Sequence, residues 1–190
     1  MNKAELRRSL LQTRRQLSPE VWQAQSAQIC AHLQTSSQFQ QAKTILAYFS
    51  FRQEVDLSSL FRLNKVWGFP RCVEQSLSWH QCLPTDAASL RTGKYGILEP
   101  LPDAPVLSPE AVDLILVPCV ACDDRGYRLG YGGGFYDRLL TSPEWQRIPT
   151  IGITFAFAHL SQLPIDAWDQ PLHAICTEHR LWQISPIRAF

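Results

Sequence analysis

Residues 113–118 read DLILVP, four apolar side chains in a row between an aspartate and a proline. A run this short and this uniformly apolar has no wet face, so it reads as a strand covered on both sides. About ten residues later the chain changes character. Residues 125–138, RGYRLGYGGGFYDR, hold Gly126, Gly130, Gly132, Gly133 and Gly134, five of the nine glycines in the protein. Glycine loses more conformational freedom on folding than any other residue, so this cluster needs a local reason.

Helices and strands interleave around that unit. Residues 2–17 place Leu6, Leu10 and Leu11 at helical spacing, with Lys3, Arg7, Arg8, Arg14 and Arg15 elsewhere on the cylinder. Ser18 followed by Pro19 reads as an N-cap and first helical position, opening a second helix that runs to about Leu33. TILAYFS (44–50), VWGFP (66–70), LSWHQC (77–82), IGITF (151–155) and HAICT (173–177) read as strands. A helix is expected to begin at residues 56–60 and another near Phe135. Residues 84–109, rich in Pro, Asp and Gly, read as a long irregular connection. Together these predict an α/β sheet with helices on both faces.

Length and charge narrow the function. A chain of 190 residues fits a single domain spanning 1–190 and buries a core without disulfide staples. Its 18 basic and 17 acidic residues give a net charge of +1, which supplies no general attraction to nucleic acid or membranes. The longest apolar runs fall far short of the roughly 20 residues of a membrane span. The first residues lack the continuous apolar core of an export signal, so a cytoplasmic protein is expected. Six cysteines then read as free thiols, and Cys119 with Cys122 as small apolar fillers, because a lone C-x-x-C is thin evidence for zinc or redox chemistry.

Strand, loop, glycine cluster, helix is an order suited to gripping phosphate, because bare backbone N–H groups can converge on an anion. Arg128 adds a cation able to pair phosphate oxygens, and Asp137 a carboxylate for magnesium beside a nucleotide. The loop is neither a G-x-x-x-x-G-K-[ST] nor a G-x-G-x-x-G motif. On residue chemistry alone, a turn that lets helix and sheet pack closely stands beside the phosphate reading.

Residues 126–138, G-x-R-L-G-x-G-G-G-F-Y-D-R, closely resemble the signature of the 5-formyltetrahydrofolate cyclo-ligases. Lys3 and Arg7 match that family's N-terminal K-x-x-x-R. YFSFRQEVD (48–56), FPR (69–71), YGILEP (95–100) and DLILVP follow in the family's order. The resemblance implies a three-layer α/β/α sandwich like that of sugar-phosphate isomerases and CoA transferases, in an expected monomer. It implies ATP- and Mg²⁺-dependent closure of 5-formyltetrahydrofolate to 5,10-methenyltetrahydrofolate. The formyl oxygen would attack the γ-phosphoryl group, N10 would add to the formyl carbon, and phosphate would leave.

Carried over by position, the resemblance implies an ATP site of Lys3, Arg7, Arg128, Leu129, Gly130, Tyr131, Gly132, Gly133, Gly134, Phe135 and Tyr136. Arg128 and Tyr136 would be catalytic. Phe49, Glu54, Tyr131 and Phe135 would bind the folate, and Asp137 and Asp169 the metal. The chain departs from the pattern at Cys119, Cys122, Ala158, Trp168 and His173. A binding protein that has lost turnover, or an isomerase or acyl-transfer enzyme of similar architecture, are the competing expectations.

Overall fold

Asp113 opens the central strand and ties it to its neighbour. In the computed structural model, which describes residues 1–184, its Oδ2 accepts the N–H groups of Lys43 and Thr44, each at 2.8 Å. The chain starts with helices α1 (Lys3–Arg15), α2 (Pro19–Thr35) and α3 (Ser37–Gln41), then enters strand β1 (Thr44–Leu46). Strands β2 (Val66–Val73) and β3 (Ser76–Gln81) follow, then the short hairpin β4 (Leu90–Thr92) and β5 (Leu98–Pro100). Strand β6 (Leu114–Pro118) leads through β7 (Ala121–Asp123) and β8 (Arg128–Leu129) to helices α4 (Phe135–Thr141) and α5 (Pro143–Gln146). Strands β9 (Thr150–Ile153), β10 (His159–Leu160), β11 (Ala174–Cys176) and β12 (Leu181–Gln183) are the last described elements.

Seven strands form one sheet in the order β12-β11-β9-β6-β1-β2-β3, so DLILVP lies at its centre. Neighbours from β11 to β2 run parallel, and the edge strands β3 and β12 are antiparallel. Parallel strands are covered on both faces, which is why this strand's run of apolar residues does not alternate with polar ones. Leu114 and Leu116 join a cluster with Ile29 and Leu33 of α2 and Phe39 of α3. Ile115 and Val117 point the other way, into a cluster with Leu139 and Leu140 of α4 and Ile148. The protein is therefore a mixed α/β structure around a large central sheet.

A second, three-stranded sheet, β10-β7-β8, carries the N-terminal helix. Leu10, with Leu6 and Leu11 beside it, packs onto Val120, Ala121, Leu129, Ala158 and Leu163. The turn joining β7 to β8 is organised by Asp123, which is fully buried. Its carboxylate accepts the N–H groups of Arg125, Tyr127 and Leu163 and pairs with the Arg125 guanidinium at 2.7 Å. That satisfaction is what makes a buried charge tolerable here.

Several expectations are corrected by the structure. The strand expected over 44–50 pairs as a strand only over Thr44–Leu46, because the chain then turns out of the sheet toward Glu54. The helix expected from residues 56–60 is a five-residue 3₁₀ turn, Ser58–Arg62. Residues 84–109 are not wholly irregular: β4 and β5 pair there, and Glu99 receives Arg71 and Arg91. The small sheet has no counterpart in the sequence reading.

Cys119 and Cys122 are buried thiols whose sulfurs lie beside Gly152 in β9. A Cβ at Gly152 would stand 2.6 Å from Leu172 Cδ1 and 3.2 Å from Cys122 Sγ. Gly152→Ala is therefore expected to destabilise the fold by about 1–3 kcal/mol through overpacking, measured as a lower urea midpoint at unchanged slope.

Candidate active site

From β1 the chain moves to β2 on one side, whereas β6 continues to β9 on the other. The crevice beyond the ends of β1 and β6 is thus the point where strand order reverses, the usual ligand position in such sheets. The loop after β1 carries Glu54, and the path after β6 leads into the glycine cluster.

Local geometry explains those glycines. Gly132 has φ +97° and Gly134 φ +67°, conformations that side chains strain to adopt. A Cβ added at Gly130 would meet nothing within 4 Å, so open space lies above the backbone there. The loop's carbonyls are engaged: Arg7 Nε donates to Gly130 O at 2.7 Å and an Arg138 Nη2 to Gly133 O at 2.8 Å. Among the described residues, none of the N–H groups of residues 130–134 donates to a protein acceptor. Carbonyls held by arginines and amides left bare form an electropositive concavity.

Two charge clusters border it. Arg128, almost fully buried, donates to Asp137 Oδ1 at 2.6 Å and to the Gln170 carbonyl at 2.8 Å. Lys3 lies between Asp166 and Asp169, at 2.6 and 2.5 Å. Partial burial pulls the Lys3 ammonium down, but the hydrogen bonds and charges of those two aspartates outweigh it and hold its pKa above 10.5. Asp169 also accepts the Asp166 N–H at 2.8 Å, so it caps its own turn. Asp137 pairs with Arg128 and Asp169 with Lys3, and no three His, Cys, Asp or Glu side chains converge on a metal-sized point among the described residues.

Glu54 faces this loop from the other side. It follows two consecutive residues in the left-handed region, Arg52 at φ 50° and Gln53 at φ 56°, a corner that costs on the order of 1 kcal/mol or more per residue. The corner folds the carboxylate back onto the Phe51 N–H at 3.1 Å. Trp22 Nε1 and Ser50 Oγ both donate to the Glu54 carbonyl, at 2.8 Å each. Burial pushes its carboxyl up to about 6, with Arg14, the Phe51 N–H and the Tyr131 hydroxyl pulling back toward the charged form. Burial and the Glu54 charge raise Tyr131 to about 12. Arg14 donates to the Tyr131 hydroxyl and lies over its ring, 5.6 Å from the centroid.

The aromatic residues divide. Phe49 is half-buried and stacks on Phe69 with centroids 4.1 Å apart. Phe135, also partly exposed, lies under Arg138. Tyr136 meets Trp79 edge-on, and its hydroxyl is buried with no partner among the described residues. That burial lifts its pKa far above the usual phenol range, so it stays protonated at neutral pH.

A family model described as the 5-formyltetrahydrofolate cyclo-ligase family matches residues 1–178. The chain belongs to this family. The 5-formyltetrahydrofolate cyclo-ligase of Escherichia coli is 31% identical over 183 residues, covering 90% of this chain and 98% of that protein. The mouse protein of the same name is 28% identical, covering 93% of each. The solved 5,10-methenyltetrahydrofolate synthetase of Aquifex aeolicus superposes with a TM-score of 0.86 at 34% identity, covering 100% of this chain and 96% of that one.

The departures from the family pattern leave these charges in place. Ala158 packs under α1, Trp168 is exposed, and His173 Nδ1 pairs with Thr150 Oγ1 at 2.9 Å. The structure also adds residues the sequence reading passed over: Arg14, Asp166, Arg138 and the Gln170 carbonyl. Arg14 is expected away from the leucine face of the helix, yet it is only 4% exposed. Its spacing held the signal, because it lies four residues after Leu10 and three after Leu11, on the helix's buried side.

The Glu54 carboxyl binds protons near pH 6 when folded but near its ordinary 4.5 when unfolded. Its contribution to stability is therefore complete below that lower value and lost as pH rises through about 6. Glu54→Gln removes the loss and is expected to stabilise the protein by up to about 2 kcal/mol at pH 8, with little gain at pH 4.5. Urea titrations at the two pH values check this.

Proposed function

We propose that this chain closes 5-formyltetrahydrofolate to 5,10-methenyltetrahydrofolate at the expense of ATP, releasing ADP and phosphate. The observation that carries the reading is one loop with two sides. Its bare N–H groups, beside Arg7 and Arg128, suit a triphosphate, while burial and the charge of the buried carboxylate Glu54 push up the pKa of Tyr131 in the same loop. The family membership and the names of the relatives support the same reaction.

In this reading Lys3, Arg7, Arg128 and residues 129–136 bind ATP. Charge neutralisation and alignment are the main requirements of phosphoryl transfer, and these residues meet them. Arg128, fixed by two partners before any nucleotide arrives, stabilises charge as the formyl oxygen attacks the γ-phosphorus. Phosphorylation turns a poor leaving oxygen into a good one, N10 adds to the formyl carbon, and phosphate departs. Tyr136, protonated and dry, shapes the loop and has no base to offer. Glu54 accepts N–H groups of the reduced pterin, with Phe49, Tyr131 and Phe135 against the ring system.

Asp137 and Asp169 offer the hard oxygen donors that magnesium takes alongside substrate phosphates. Each carboxylate pairs one oxygen with a protein cation, Arg128 or Lys3, which leaves its second oxygen to serve as a ligand. The donor chemistry fits, and these two residues would hold the ion, which neutralises phosphate charge when bound. Two-sided packing of the central sheet supports a three-layer α/β/α sandwich of the sugar-phosphate isomerase and CoA-transferase kind. A single catalytic domain, monomeric and cytoplasmic, completes the proposal.

Mixing the protein with 5-formyltetrahydrofolate and Mg-ATP is expected to produce the absorbance of methenyltetrahydrofolate. Arg128→Ala and Asp137→Ala are each expected to lower turnover by a factor on the order of 10² or more while the circular dichroism spectrum is unchanged. Normal turnover in both variants would remove Arg128 and Asp137 from the site, and a folded wild-type protein with no product would sink the reaction.

A further inference from the structure

Arg138 is exposed on α4, outside the set of residues read above as binding ATP. Its guanidinium reaches two backbone carbonyls at once. Nη2 donates to the Gly133 carbonyl at 2.8 Å, and Nε donates to the Gln75 carbonyl at 2.7 Å. Gln75 lies in the turn between β2 and β3, closed by the pairing of Val73 with Ser76. One side chain therefore ties the glycine loop to a hairpin 63 positions away in sequence. Phe135 lies under the same guanidinium, its ring centroid 5.4 Å from Cζ. A Cβ at Gly134 would stand 2.7 Å from Nη1, so glycine at that position leaves the head group room. The hairpin turn is strained at the same point: Glu74, just before Gln75, has φ 53°, a left-handed conformation that such turns usually give to glycine.

What these bonds fix is a direction. A peptide unit is planar and trans, so a carbonyl held one way holds the next residue's N–H the other way. Nη2 on the Gly133 oxygen thereby aims the Gly134 N–H away from Arg138. Arg7 acts alike from α1, its Nε on the Gly130 oxygen at 2.7 Å setting the direction of the Tyr131 N–H. Neither N–H donates to a protein acceptor among the described residues. A charged donor on a carbonyl also polarises the peptide, which strengthens its N–H as a donor to an anion. Between two glycines the peptide plane turns easily, so its orientation needs an outside hold.

We propose that Arg138 is a positioning residue for the nucleotide: braced on the β2–β3 turn, it holds the Gly133–Gly134 peptide so that the Gly134 N–H points at phosphate. The inference rests on the proposed reaction for its ATP, but nucleotide binding is measurable without turnover. Arg138 touches no phosphate in this reading and acts through the main chain. Two other roles would behave differently. An arginine that contacts phosphate itself leaves the empty loop unchanged when it is removed. One that only braces the hairpin lowers stability without singling out ATP.

The test uses the full-length chain with glycine labelled by ¹³C at the carbonyl and by ¹⁵N. Gly132–Gly133 and Gly133–Gly134 are the only Gly-Gly pairs in the sequence, so an HNCO spectrum holds two signals, and Gly132→Ala removes the first. Without nucleotide, Arg138→Met is expected to shift the Gly133–Gly134 signal more than the other. Its affinity for Mg-ATP, measured by calorimetry, should fall on the order of tenfold. KM for 5-formyltetrahydrofolate should stay within about twofold. Arg138→Lys, with one nitrogen in place of the two that form the fork, should recover part of the ATP affinity. An unmoved Gly133–Gly134 signal in nucleotide-free Arg138→Met would overturn the proposal, as would an unchanged ATP affinity or an equal loss for the folate. If Arg138→Met does not fold, Arg138→Lys decides alone: the signal and the ATP affinity must both move while KM for the folate holds. Wild-type protein that does not bind Mg-ATP overturns the inference. Wild-type protein that binds it yet makes no methenyl product overturns the reaction alone, and the signal with the ATP affinity still decides the role of Arg138.

Discussion

The packing of three leucines, one buried and two partly buried, holds the site together. Helix α1 supplies Lys3, Arg7 and Arg14, and it stays on the body of the protein because Leu6, Leu10 and Leu11 pack on the small sheet. Burying one leucine side chain contributes about 1.5–3 kcal/mol. A partly exposed ion pair such as Lys3 with Asp166 contributes about 0–1 kcal/mol. The apolar contact therefore decides where the helix sits, and the charges inherit their positions from it. The capping box of Asn2 and Glu5 starts the helix just ahead of Lys3, which sets the rotation at which that first cation leaves the backbone.

A second constraint follows from the first. Once α1 is docked, Arg14 is buried in the same contact that brings Arg7 to the glycine loop. The protein then holds several charges in poor solvent: Arg14, Arg128, Glu54 and Asp123. Asp123 is satisfied by three backbone N–H groups and a guanidinium, and it builds the turn. Glu54 accepts a single backbone N–H on its carboxylate, and burial pushes its carboxyl up to about 6. The contrast separates a carboxylate that organises the fold from one left with capacity for a ligand.

Long, strongly patterned elements were legible in the sequence. DLILVP announces a strand covered on both faces, and it is the middle strand of seven. The leucine spacing of α1 and the Ser18-Pro19 start of α2 translate directly into helices. Strands β7, β8 and β10 were not legible, because two or three residues carry no periodicity, and their pairing partners lie up to about forty positions away. Lys3, Arg7, Glu54 and the glycine loop came from an ordered family signature, since lone charges look alike on a page. The structure sets Arg7 against the glycine loop and ties Tyr131 to Arg14. Asp169 it ties to Lys3, a pairing across 166 positions that no local pattern encodes.

The left-handed corner at Arg52 and Gln53 makes the two halves of the crevice unequal in construction. The corner and the bonds to the Glu54 carbonyl place this carboxylate by local main chain and by α2, independently of α1. Lys3, Arg7 and Arg14 are delivered by a helix docked through its side chains. A lesion that peeled α1 away would strip Lys3, Arg7 and Arg14 together, yet leave the acidic half standing in its original shape. The crevice is thus a fixed jaw and a mounted one, and only the mounted jaw can be lost in a single event.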